Sequence, residues 1–116
     1  MATRNLINWI DARFRRLRSL PVLRPGLIAE TFRGLELKRI CFVHIDLDIY
    51  KSIFDALDFA WPRLANGEGI VFYDYGFASC PGARNSVDKY SAGTTTQPWP
   101  LASGQAVVFK HAELCA

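Results

Sequence analysis

The stretch Ile40-Cys41-Phe42-Val43-His44-Ile45-Asp46-Leu47-Asp48-Ile49-Tyr50 decides how this chain folds. Its apolar, β-branched first half reads as a buried strand of an α/β sheet, and its second half delivers two carboxylates, Asp46 and Asp48, to the strand's end. Ile40 to Val43 is apolar on both faces, the pattern of a central parallel strand covered by helices on each side. Beyond it, the two-residue period of a strand puts Phe42, His44, Asp46 and Asp48 on one face, with Val43, Ile45 and Leu47 on the other. Cys41, inside this run, is expected to act as a small buried hydrophobe.

Downstream, Tyr50, Ile53, Phe54, Leu57, Ala60, Trp61 and Leu64 recur at helical spacing and form an apolar stripe. Asp48 stands at the N-cap of this helix or close to it, Pro62 limits the regular helix, and Asn66-Gly67 supplies a left-handed stop. Residues 69–74, Gly-Ile-Val-Phe-Tyr-Asp, read as a second buried strand that also ends in an acid. Strand, helix and strand within about 35 residues make a βαβ unit with parallel strands and a right-handed crossover. After Pro81-Gly82 a short helix is expected over 83–90. Residues 94–99 read as an edge strand, because Pro98 and Pro100 exclude them from a sheet interior. A turn at 101–104 then leads into a final strand over 105–110, as an antiparallel hairpin at the sheet margin.

The chain has 116 residues, half of them hydrophobic and 22% charged, which implies one globular domain rather than a disordered chain. Its net charge of +3 is concentrated in Arg4, Arg13, Arg15, Arg16, Arg18 and Arg24, with Asp11 the only acid among them. Residues 3–18 have helical spacing of Leu6, Ile7, Ile10, Phe14 and Leu17. Three readings stay open for this segment: a packing helix with a solvated basic face, a transit or membrane-surface helix, or a segment foreign to the fold. Residues 1–22 are therefore set apart as a basic amphipathic helix, and 23–116 as the α/β unit. The cysteines, Cys41, Cys80 and Cys115, have neither metal-ligand nor redox spacing. A reducing cytoplasm is the expected compartment, and no apolar run approaches the ~20 residues that span a bilayer.

Ligands of open α/β sheets bind beyond the carboxyl ends of the strands. Adjacent strands stand about 4.8 Å apart, so Asp46 and Asp74 can share a site there with Asp48. Clustered oxygen donors of this kind suit Mg²⁺. His44, one strand repeat below Asp46, is either a base and hydrogen-bond partner for that acid or a buried neutral histidine satisfied by backbone. Tyr73, Tyr75 and Phe77 surround Asp74 as core or as pocket wall. No Gly-rich strand-to-helix turn of the phosphate or dinucleotide type occurs, and no Ser or Cys nucleophile has a plausible His partner.

Five segments in order carry a family resemblance. They are Pro25-Gly26-Leu27-Ile28-Ala29-Glu30-Thr31, Phe42 to Tyr50, Tyr73-Asp74-Tyr75-Gly76, Pro81-Gly82-Ala83-Arg84-Asn85-Ser86-Val87-Asp88, and Ser103-Gly104-Gln105-Ala106-Val107-Val108. Over residues 23–110 the chain resembles the C-terminal half of the macrocin O-methyltransferases, S-adenosylmethionine-dependent enzymes that methylate sugar hydroxyls. The resemblance implies half of a Rossmann-like methyltransferase sheet: a βαβ unit, a short helix and a terminal antiparallel hairpin. It also implies Mg²⁺ ligation by Asp46 and Asp74 and a small-molecule hydroxyl acceptor, with Asp48 capping the helix or supporting the metal; the residues themselves add His44 and, beside it, Asp46 as the catalytic candidates.

Two departures qualify what the resemblance implies. Tyr73 stands where the family has an acid, and Glu68 interrupts a Gly-Gly pair. The cofactor's half of the site would lie upstream of Met1, so this chain alone is expected to bind S-adenosylmethionine poorly. The rival reading is a non-catalytic remnant that self-associates through the open edge of the strand at Ile40. A basic module for nucleic acid or membrane rests on the N-terminal arginines alone, and neither partner is expected.

Overall fold

The computed structural model describes residues 22–111 together with Asn8, Trp9 and Ala12. The reading of 3–18 as a helix lies almost wholly outside the described residues. The elements are α1 (Ile28–Thr31), β1 (Ile40–Ile45), α2 (Tyr50–Arg63), β2 (Leu64–Phe72), α3 (Pro81–Ala92), β3 (Trp99–Pro100) and β4 (Ala106–Phe109).

They form one four-stranded sheet in the order β1-β2-β4-β3. β1 and β2 run parallel, with Val43 opposite Ile70 and Ile45 opposite Phe72. β4 is antiparallel to β2, placing Ile70 opposite Val108, and β3 closes the hairpin against β4. The βαβ unit and the terminal hairpin therefore stand as the sequence implies.

The stripe of α2 makes the core. Ile53, Leu57 and Ala60 are buried with Leu64, Ile70, Phe72 and Val108. α1 docks on α2 through Phe32 and Phe59, whose rings stack 4.1 Å apart. Arg63 lies 4.0 Å from the Phe59 centroid and donates to the Glu36 carbonyl at 3.0 Å. Pro62 sits inside the last turn of α2 rather than before its end. It has no N–H to give; at the same end of the helix the Lys110 ammonium donates to the carbonyls of Trp61 and Leu64 at 2.7 and 2.9 Å. Gly67 takes the expected left-handed conformation at φ +87°, but inside β2, which begins at Leu64.

Four expectations are corrected. Among the described residues β1 is an outer strand, not a central one, and Cys41 and Phe42 are exposed where burial on both faces was expected. From Phe42 to Asp48 only the face of Val43, Ile45 and Leu47 turns inward, so the alternation holds while the two-sided covering does not. The N-cap of α2 is Ile49 and no side chain caps it, so Asp48 is released from that role. Residues 94–97 are not a strand. The Thr94 hydroxyl donates to the Ser91 carbonyl at 2.8 Å and turns the chain at the end of α3, confining β3 to two residues.

Candidate active site

Asp46 follows β1 directly, and Asp74 follows β2 by two residues. Parallel pairing continues past β2, since the Tyr73 N–H donates to the Ile45 carbonyl at 2.9 Å. This bond keeps the two strand ends level. Beyond Asp74 the chain makes two successive tight turns: Phe77 N–H donates to the Asp74 carbonyl at 3.2 Å, and Cys80 N–H to the Phe77 carbonyl at 3.0 Å. Those turns carry Cys80 back toward Asp74.

Gly82 completes the arrangement. A Cβ at this position would stand 3.1 Å from the Tyr50 nitrogen, so a larger residue would push the first turn of α3 away from the first turn of α2 by a few tenths of an ångström. Asp48, just before α2, and Cys80, just before α3, are thereby brought together. One ligand atom each of Asp48, Asp74 and Cys80 lies within 4.8 Å of the others. Asp46 is not part of this tightest group, yet its carboxylate acts on Asp74. Partial burial, then Asp48, then Asp46 raise the Asp74 carboxyl from 3.8 to about 6. An acid held up by its neighbours' charge is a place where a cation would be stabilised.

His44 is exposed on the face it shares with Asp46, which removes the reading of it as a buried neutral histidine. Its ring lies 6.2 Å from that of Tyr73, and Tyr73 in turn lies 6.1 Å from Phe77. Tyr73 thus belongs to an exposed aromatic row, not to the carboxylate group. Tyr75 separates from this row: it is buried, and its hydroxyl donates to Asp88 at 2.6 Å. Burial and that carboxylate push the Tyr75 phenol up to about 12. A groove of about 400 Å³ opens between α1, β1 and α2, apolar along Phe32, Val43 and Phe59, with His44 and Asp46 also in its lining. Cys80 is the residue sequence reasoning missed. No spacing rule links it to Asp48, and only the Gly82 approach, visible as Pro81-Gly82, hinted at a close contact there.

A parallel pair with acids at its carboxyl ends, followed by an antiparallel hairpin, is consistent with a Rossmann-like methyltransferase fold. Structures of known proteins agree. The O-methyltransferase NovP superposes with a TM-score of 0.74 at 21% identity, covering 94% of this chain and 43% of that one. A Corynebacterium glutamicum protein superposes with a TM-score of 0.71 at 20% identity, covering 97% and 59%. The family model described as Macrocin-O-methyltransferase (TylF) matches residues 11–110, and the chain belongs to that family.

Among curated relatives, 8-demethyl-8-(2,3-dimethoxy-alpha-L-rhamnosyl)-tetracenomycin-C 4'-O-methyltransferase of Streptomyces olivaceus is 30% identical over 88 residues, 75% of this chain and 33% of the relative. Demethyldecarbamoylnovobiocin O-methyltransferase of Streptomyces niveus is 28% identical over 68 residues, 59% of this chain and 25% of the relative. The chain therefore spans about a third and a quarter of the two curated relatives. Membership implies S-adenosylmethionine as the methyl donor of the family. Among the described residues no helix is long and apolar enough to cross a membrane.

Proposed function

We propose that this chain supplies the metal and acceptor side of an S-adenosylmethionine- and Mg²⁺-dependent O-methyltransferase acting on a hydroxyl of a sugar or related natural product. The cofactor's side is then completed by residues outside these 116. The observation that carries the reading is the convergence of Asp46, Asp48 and Asp74 at the carboxyl ends of two adjacent parallel strands, in a member of this family. The absence of a Gly-rich strand-to-helix turn in the sequence, and the short span against the curated relatives, support the division of the site. A cytoplasmic setting is part of the proposal and rests on the free thiols of Cys41 and Cys80.

In this reading Asp46 and Asp74 hold the cation and Asp48 supports it. Mg²⁺, when bound, lowers the pKa of the acceptor hydroxyl. His44, exposed and one strand repeat of about 7 Å from Asp46, takes the hydroxyl proton as the methyl group is transferred. Tyr73 offers a phenol where the family has a carboxylate, so Mg²⁺ would be held by fewer acids than the family's pair would provide. Calorimetry tests the division of the site. The chain alone is expected to show no micromolar binding of S-adenosylmethionine, and such binding would overturn it.

The outer position of β1 favours a second reading, a non-catalytic unit that folds by self-association. Light scattering at increasing concentration tests this second reading, since a clean monomer at every concentration removes it.

A further inference from the structure

We propose that residues 3–18 lay their apolar stripe, Leu6, Ile7, Ile10, Phe14 and Leu17, across the open face of the sheet, over Phe42, Val71, Val107 and Phe109. The inference is independent of the metal and of the cofactor. α2 and α3 pack on the other face, where Ile53 and Val87 share one core with Ile70, Phe72 and Val108. Strand register sets the alternate residues of the sheet in two rows on the open face. Phe42 stands beside Gly69 and Phe109, and His44 beside Val71, Val107 and Trp99. Among the described residues no helix lies over these rows, and Phe42 is 62% and Phe109 43% exposed. Parallel strands that are apolar on both sides call for a cover on each.

The chain itself points to the cover. Asn8, Trp9 and Ala12 are helical and exposed, and at about 3.6 residues per turn all three fall outside the stripe. The side that meets solvent is therefore the side without Leu6, Ile10 and Leu17. The family match begins at residue 11, so Phe14 and Leu17 lie inside it. Arg24 is anchored at α1, its guanidinium donating to the Arg33 carbonyl at 2.7 Å, and α1 borders the groove beside β1. The stretch from Leu17 to Arg24 extends up to roughly 23–25 Å, while packed layers stand about 10 Å apart. The segment can thus round the outer edge of β1, which no further strand blocks among the described residues. Phe42 and Phe109 lie on strands two places apart, about 10 Å, which matches the width of one helix. Gly69 between them carries no side chain, and the Phe109 ring leans over it, so the floor is low and apolar. This seat leaves His44 and Tyr73 uncovered at the carboxyl margin, open to the acids of the candidate site.

Methyl NMR of the whole chain at low concentration tests the seat. The methyl groups of Leu6, Ile10 and Leu17 should show cross-relaxation to those of Val71 and Val107. Contacts to Val43 and Ile28 instead would place the stripe in the groove of α1, β1 and α2. Contacts seen only between differently labelled copies would place a second copy on the face. Either result overturns the proposal, and so do stripe methyls that contact none of these residues. Stability gives an independent reading. Ile10→Asp should lower the melting temperature by roughly 5–10 °C, and Ala12→Asp, the same charge on the exposed side, should leave it nearly unchanged. Equal effects from the two substitutions would also overturn the proposal.

Discussion

A carboxylate held beside two others is less stable ionised than one alone, and Asp74 is in that position between Asp48 and Asp46. Its carboxyl is raised from 3.8 to about 6 by partial burial and those two charges. The folded chain therefore binds this proton more tightly than the unfolded chain does. The stability it contributes is full below 3.8 and is lost as pH rises through about 6. Asp74→Asn removes the repulsion, so in chelator at neutral pH the variant should be more stable by roughly 0.2–1 kcal/mol. Thermal unfolding should show the gain vanish in acid, and a variant less stable than wild type at neutral pH would contradict the cluster.

Tyr75 gives a separate test. Its phenol, raised to about 12, stabilises the fold below the ordinary value of 10 and stops doing so as pH climbs through about 12. Tyr75→Phe should cost about 1–2 kcal/mol at neutral pH by stripping Asp88 of its donor, and the difference from wild type should shrink across that alkaline window. Asp46 and Asp48 were singled out because strand periodicity puts them on one face of the sequence, although both follow the end of β1 at Ile45. Cys80 was not, because two turns and a helix–helix contact place it, and none of these leaves a spacing signature.

At the scale of elements, the end of α2 is tied to the end of β4 by a side chain distant in sequence. Pro62 cannot donate to the carbonyl one turn back, and the chain passes directly from Arg63 into β2 without a loop. Lys110, one residue beyond β4, reaches back to the carbonyls of Trp61 and Leu64 and lies 5.8 Å from the Trp61 ring centroid. Lys110→Met keeps most of the aliphatic stem and removes the donor, and should cost about 2 kcal/mol. Thermal denaturation reads the loss, and an unchanged melting temperature would show that solvent serves those carbonyls equally well.

The elements themselves were largely readable, since the stripe of α2, the short apolar β2 and the Pro81 start of α3 are local signals. The bounds of β3 were not. Thr94 to Thr96 have the β-branched side chains of a strand, but the Thr94 hydroxyl bonds back to Ser91 and the segment turns instead. Two-sided burial of β1 was misread for a related reason: apolar residues announce what they need covered, not whether this chain covers it.

Over the whole molecule the two margins of the sheet are unequal. β3 is two residues long, and Pro100 removes one of its N–H donors, so that margin is a poor template for another strand. β1 is six residues long, contains no proline and is not followed by a further strand on its outer side among the described residues. Phe42 on this strand is 62% exposed, Cys41 beside it is also exposed, and the apolar groove of Phe32, Val43 and Phe59 opens next to them. If the cofactor's side of the enzyme is supplied by other residues, this is the margin it would join, and in their absence a second copy of the chain offers the same hydrogen-bonding edge. The isolated chain is accordingly expected to associate with rising concentration through β1. Phe42→Lys places a charge on that edge, which disfavours strand pairing, and should return the chain to a monomer with its circular dichroism unchanged. Trp99 is 66% exposed on the opposite margin, so Trp99→Lys serves as the control and should leave association intact. Light scattering that shows equal association in both variants would assign the contact to general apolar exposure rather than to the edge of β1.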